Sequence, residues 1–227
     1  MRANPMKLLA LDTSTDACSV ALDIEGRVFT RFEVAPRRHA EIILPMIGRL
    51  LSDAELKVNQ LDAIAFGRGP GAFTGLRIAC GVTQGIAFAA DLPVVPVSTL
   101  AALAQGAYRA YGHEKIITAI DARMGEVYWG LFQRTQGGLM QAASEERISA
   151  FGNLELPQGD DRWAGIGSGW GTAAAPAGQI QRRLCDVKPE VLPHAKDILS
   201  LAKPAYLQGA YVAAAQALPT YLRNKVV

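Results

Sequence analysis

The stretch richest in residues that could do chemistry is 67–81, GRGPGAFTGLRIACG. Glycines at this density let backbone come closer to a neighbour than side chains permit, and a phosphate is one such neighbour. Neither phosphate motif fits. A P-loop needs Gly, four residues, Gly, Lys and then Ser or Thr. Gly71 to Gly75 has the wrong spacing, and Leu76-Arg77 stands where Lys-Ser would. The dinucleotide variant G-x-G-x-x-A is matched by Gly67, Gly69 and Ala72, but Pro70 and Gly71 fall where the helix should begin. The acid expected about twenty positions on, Asp91, precedes the next strand where it should end it. The stretch therefore reads as a turn feeding a helix capped by Thr74. Arg77 falls in the first turn of that helix, where a positive charge opposes the dipole. An internal carboxylate is expected beside it in preference to a ligand anion.

Metal chemistry is poorly supplied. A catalytic zinc takes three protein ligands and keeps an open position. His39, His113 and His194 stand alone, no H-E-x-x-H occurs, and Cys18, Cys80 and Cys185 match no zinc spacing. The thiols are expected to be buried and inert in a reducing cytoplasm. No metal and no cofactor are expected, and a metallopeptidase is nearly excluded.

These residues must be positioned by a recognisable order of elements. Lys7–Thr13, Cys18–Ile24 and Val28–Val34 read as a three-strand meander, and His39 opens a helical pattern with Ile43, Ile47, Leu50 and Leu51 on one side. Pro45 should kink that helix or restart it. A strand at 61–66, a helix at 76–90, a strand at 93–97 and a helix at 99–111 capped by Ser98 complete the first half. KIITAIDARMGEVYWGLF then repeats the layout of LLALDTSTDACSVALDI: a strand ending in Asp, a polar turn, a second strand. Asp121 takes the place of Asp12, and the two are expected on facing walls of a cleft. A third strand is expected over 139–148, a strand at 162–166 leading into GIGSGWG, and helices from about Thr172 and from His194. The tail YLRNKVV reads as loose. The boundaries that follow are 1–111 for a first lobe, with the helix around 194–209 able to pack back on it, 112–193 for a second, and 210–227 for a tail.

Composition bounds the partners. The chain has 227 residues, half of them hydrophobic and 19% charged, which is globular, and its net charge of +2 leaves no basic stripe for gripping nucleic acid unaided. MRANPMK runs straight into a strand, so no signal peptide is expected, and prolines interrupt the apolar runs, so no membrane span is. Gly81, Gly85 and Ala89 lie one turn apart on the helix behind the glycine loop. Mid-helix glycines cost ~1 kcal/mol each against alanine, so close contact with another helix, of this chain or of a second subunit, is expected.

LALDTSTDACSVAL, RRHAEIILPMI, GRGPGAFTGLRIACGVTQGIAFA, VVPVSTLAALA and DARMGEVYWGLF together resemble the bacterial TsaB (YeaZ-like) family, over most of residues 6–133. PTYLRNK near the end is similar to the family's tail. The resemblance implies an α/β fold of two duplicated lobes of the actin, sugar-kinase and Hsp70 type. It also implies a non-catalytic cytoplasmic subunit of the machinery that places threonylcarbamoyl on the adenosine beside the tRNA anticodon. Such a subunit docks on TsaD, works with the ATPase TsaE, meets tRNA through the complex and forms a homodimer when alone. TsaD uses paired histidines to hold a metal, and here the corresponding helix offers only His39. The nucleotide loops of that fold would fall on Asp12, Thr13 and Ser14, on Asp121, and on the turn containing Gly167 and Gly169. Asp121 lacks the adjacent glycines that let backbone wrap a phosphate, so a degenerate nucleotide site is implied. The family's subunit interface would fall on Ile43, Ile47, Leu50, Gly81, Gly85 and Ala89. The competing reading is an independent ATPase or small-molecule kinase of the same fold.

Overall fold

The computed structural model describes residues 6–172 and 178–223. The chain divides into two compact units, one of residues 1–102 and 193–220, the other of 103–192 and 221–227.

The first unit is built on strands β1 (Lys7–Asp12), β2 (Ala17–Ile24), β3 (Arg27–Val34), β4 (Ala63–Gly69) and β5 (Val94–Ser98), in the order β3-β2-β1-β4-β5. β1–β2 and β2–β3 are antiparallel hairpin neighbours, while β1–β4 and β4–β5 are parallel and joined through helices. β1, β2 and β4 are buried almost throughout, as strands covered on both faces must be. Helices α1 (His39–Asp53) and α2 (Phe73–Ala90) pack against the sheet on one core, with Leu9, Leu11, Val20, Ile64 and Phe66 at its centre. Helix α5 (Ala195–Leu207) covers a second core of Leu8, Ala10, Val95, Ile198 and Leu199. α1 runs through Pro45 as one helix, so the restart that was one of the two expectations there does not occur.

The second unit repeats the topology. β6 (Lys115–Arg123) and β7 (Glu126–Arg134) are antiparallel, and β10 (Trp163–Ile166) and β11 (Leu184–Lys188) add in parallel beyond β6. β8 (Met140–Ala142) and β9 (Arg147–Ala150) both pair with β7, giving β11-β10-β6-β7-β8. Each unit therefore has a hairpin, a third antiparallel strand beyond it and two parallel strands on the other side. This is the duplicated α/β topology the resemblance implies. The single strand expected over 139–148 is two strands. Between them Ser144 Oγ takes the Leu131 N–H (3.0 Å) and Ala143 N donates to Leu131 O (2.7 Å), so the ladder swerves. Helix α3 (Thr99–Tyr111) starts with Ser98 Oγ accepting from Ala101 N at 3.2 Å. α4 (Gly178–Arg183) is a short helix leading into β11, a strand not anticipated; the expected helix start near Thr172 continues into residues outside the described ones.

The segment after α5 is tied down. Val212 bridges Val94, Cys80 Sγ and Gln84 Nε2 both donate to Ala217 O (2.9 and 3.2 Å), and Thr220 N donates to Arg68 O at 2.7 Å. In the second unit Arg223 donates to Ala122 O and to Glu126 Oε2 (2.9 and 2.7 Å). The expectation of a loose tail is thus wrong as far as Arg223: the segment's own residues carry no pattern that reveals these distant partners.

Candidate functional site

The glycine loop closes on the chain's own turn. A side-chain carbon at Gly67 would strike Asp12 Oδ2, one at Gly71 the Ser14 carbonyl, and one at Gly75 the Thr13 carbonyl. The glycines exist because β4 and the start of α2 lie directly on the turn between β1 and β2. Bonds knit the two together: Thr13 Oγ1 donates to Gly75 O (2.7 Å) and Ala72 N donates to Ser14 O (2.8 Å). α2 begins at Phe73, so the residue at its N-cap position is Ala72 with no side-chain cap, and the expected Thr74 cap is not formed. Arg77 stacks its guanidinium 3.8 Å from the centre of the Phe73 ring.

Asp12, Thr13 and Ser14 have no exposed surface. Asp12 Oδ1 accepts from Ser14 N (3.0 Å) and Ser14 Oγ (2.8 Å). Oδ2 is buried without a partner, and so is Thr99 Oγ1 beside the same glycine. Burial pushes the Asp12 carboxyl up to about 6, against the pull of the two Ser14 bonds. A phosphate needs free N–H donors, and here the Ser14 N–H is already held by Asp12.

Asp121 stands at the corresponding place on β6 and makes the same local turn, its Oδ1 accepting from Arg123 N at 2.8 Å. Its surroundings differ: Oδ2 faces Arg123 Nη1 at 3.2 Å, and its N–H goes to Ser168 Oγ at 3.1 Å. The GIGSGWG turn is a packing device. Trp170 folds back onto Gly165 and its Nε1 donates to Ile117 O at 3.1 Å. Gly167, at φ 101°, and Gly169 both lie against Ala119, too close for a side chain. The sequence signal for this was a tryptophan following alternate glycines, a turn on which the resemblance placed one of the nucleotide loops.

The expected interface stripe splits in two. Ile43, Ile47 and Leu50 are fully buried in the first unit's core, so they supply no exposed surface. Gly81, Gly85 and Ala89 are exposed, with open space beyond Gly81 and Gly85. The division follows from helix geometry. Leu76, Ala79, Cys80, Thr83 and Ala87 form the buried face of α2, and two residues on from Ala79 is roughly half a turn around the helix. The open face also carries Phe88, 83% exposed, which the small-residue spacing did not reveal. A groove of about 470 Å³ runs beside it between Val58, Asn59, Ile86 and Ala90. Among the described residues α2 is one helix long and apolar enough to cross a membrane, contrary to the reading of the apolar runs; in this structure one side of it packs on β4 and β1.

The histidines are dispersed. His39 is buried at the start of α1, His113 Nε2 pairs with Asp186 Oδ2 at 3.0 Å, and His194 caps α5 by accepting from Lys196 N at 3.0 Å. Among the described residues no three His, Cys, Asp or Glu side chains come together. Cys18 and Cys80 are buried, and burial pushes the Cys18 thiol up to about 12; Cys185 is exposed, contrary to expectation, on a strand whose side chains alternate.

The tRNA threonylcarbamoyladenosine biosynthesis protein TsaB of Escherichia coli is 41% identical over 97% of this chain and 96% of its own length. The chain belongs to the TsaB (YeaZ-like) family. The Haemophilus influenzae TsaB is 42% identical over 97% of the chain and 95% of its own length. A solved structure, YeaZ from Pseudomonas aeruginosa, superposes with a TM-score of 0.89 at 51% identity, covering 96% of this chain and all of that one. A family model described as TsaD, tRNA N6-adenosine threonylcarbamoyltransferase, matches residues 32–226.

Proposed function

We propose that this chain acts in the biosynthesis of threonylcarbamoyladenosine in tRNA as a non-catalytic cytoplasmic subunit. It docks on a TsaD-type transferase, works with the ATPase TsaE and meets tRNA through that complex. The observation that carries the reading is the near full-length likeness to TsaB proteins named for that biosynthesis. The closed turn at Asp12–Ser14 supports an accessory role over the ATPase or kinase reading, because its donors are spent within the chain. The docking face assigned to the transferase is the open side of α2, with Gly81, Gly85, Phe88 and Ala89; a smooth ridge beside an exposed aromatic suits close helix packing. The same face would join two copies when the protein is alone.

Gly85→Leu tests this. Nothing lies within 4 Å of a side-chain carbon at Gly85, so the variant should fold as well as the parent or better. Size-exclusion chromatography with purified TsaD from the same organism should show co-elution of the parent and none of the variant. Normal binding by the variant would place the interface elsewhere. Calorimetry with ATP and magnesium on the chain alone separates the competing reading, which requires tight binding and turnover.

A further inference from the structure

The hairpin between β6 and β7 is shaped against the preferences of its own residues. Arg123, Met124 and Gly125 follow one another with φ of 66°, 59° and 77°. A two-residue hairpin turn with positive φ at both central positions favours Asn-Gly or Asp-Gly, and here the pair is Met-Gly. The β2–β3 hairpin of the same chain manages its turn with one left-handed non-glycine, Glu25 at 54°, followed by Gly26. The β6–β7 tip adds Arg123 to that number, at a point where the ladder register shifts between Asp121 and Arg123.

The conformation is held from behind. Asp121 Oδ1 accepts from Arg123 N, and Asp121 N donates to Ser168 Oγ. Arg223 donates through Nη2 to Ala122 O and Glu126 Oε2, and through Nη1 to Met124 Sδ at 3.3 Å. What this clamp presents is a guanidinium side chain 86% exposed and a methionine 83% exposed. Asn or Gly would make the same turn without strain, so it is the Arg123 and Met124 side chains that the strain keeps in place. Unfavourable backbone states persist where the surrounding structure over-determines them, and they cluster at functional positions.

We propose that this hairpin tip is a second docking element that inserts into a folded protein surface offering an apolar pocket for Met124 and a carboxylate for Arg123. The partner is the transferase subunit, a step that rests on the reading under "Proposed function". A protein fits the tip better than an RNA backbone does. The tip's largest exposed surface is the apolar Met124 side chain, which gains nothing from phosphates. A single exposed guanidinium is too little charge for a phosphate backbone, whereas one carboxylate suffices to meet it. A preorganised arginine beside an adaptable methionine is the composition of a protein-interface anchor.

The test uses the full chain with Arg123→Gly, Met124→Asn and the double variant, each of which suits a left-handed backbone. All three should melt at or above the parent temperature. In calorimetry against purified TsaD the double variant should bind at least tenfold more weakly. Parent-like affinity overturns the inference, as does a clear fall in melting temperature, which would make the side chains part of the fold. Loss of filter-retained tRNA with TsaD binding intact also overturns it, in favour of an RNA surface. If Gly85→Leu abolishes TsaD binding while the hairpin variants bind normally, only this inference falls. If the parent does not bind TsaD, both fall.

Discussion

Replacing Asp12 by Asn should remove most of a pH-dependent part of the stability. The carboxyl is fully buried and Oδ2 has no partner, so its proton is held to about pH 6 in the folded chain against 3.8 when exposed. Folding therefore takes up a proton between those values. The stability it confers is complete below about pH 3.8 and is lost as pH rises through about 6, then levels off. At 1.36 kcal/mol per unit, a shift of about two units corresponds to roughly 3 kcal/mol. Asn keeps an oxygen to accept from Ser14, and the exchange adds an offset that does not vary with pH. Urea unfolding followed by far-ultraviolet circular dichroism between pH 4 and 8 should show the variant gaining on the parent by up to about 3 kcal/mol across the range. The tryptophans, Trp129, Trp163 and Trp170, all lie in the second unit, so their fluorescence serves as the control that should move least. Parallel stability curves, or a parent that gains on the variant as pH rises, would show that Asp12 is ionised and partnered in the folded state and would refute the reasoning.

The glycines divide into obligatory and replaceable ones. Gly75→Ala drives a methyl into the Thr13 carbonyl and should cost roughly 3 kcal/mol or more, or prevent folding, whereas Gly81→Ala points into open space and should stabilise by ~1 kcal/mol; thermal melting of the pair checks both. Asp186 is held below its ordinary value, first by the hydrogen bond from His113. Its contribution is present above pH 3.8 and fades as acid protonates it, so the parent should exceed Asp186→Asn in melting temperature by a small margin at pH 7 that shrinks as the pH is taken below 3.8. A margin that stays constant on acidification would refute that account.

How much could be read from the residues depended on how local the deciding interaction was. The repeat was legible because an aspartate binding the N–H two residues on is a property of three consecutive residues, and Asp12 and Asp121 both do it. The Ser98 cap and the buried side of α1 were legible for the same reason, since they depend on neighbours within one turn. β11 was missed because LCDVK follows two arginines and alternates at half exposure, as an edge strand can and a loop can too. The periodicity of α1 and α2 showed which residues share a face. Only the packed unit decided that Ile43, Ile47 and Leu50 turn inward while Gly81, Gly85 and Phe88 stay open. The glycine density at 67–75 likewise announced that backbone must come close to something. That the neighbour is the Thr13 and Ser14 backbone, and no phosphate, was decided by the parallel pairing of β1 with β4, because a contact made across some sixty residues of chain leaves no trace in either segment alone.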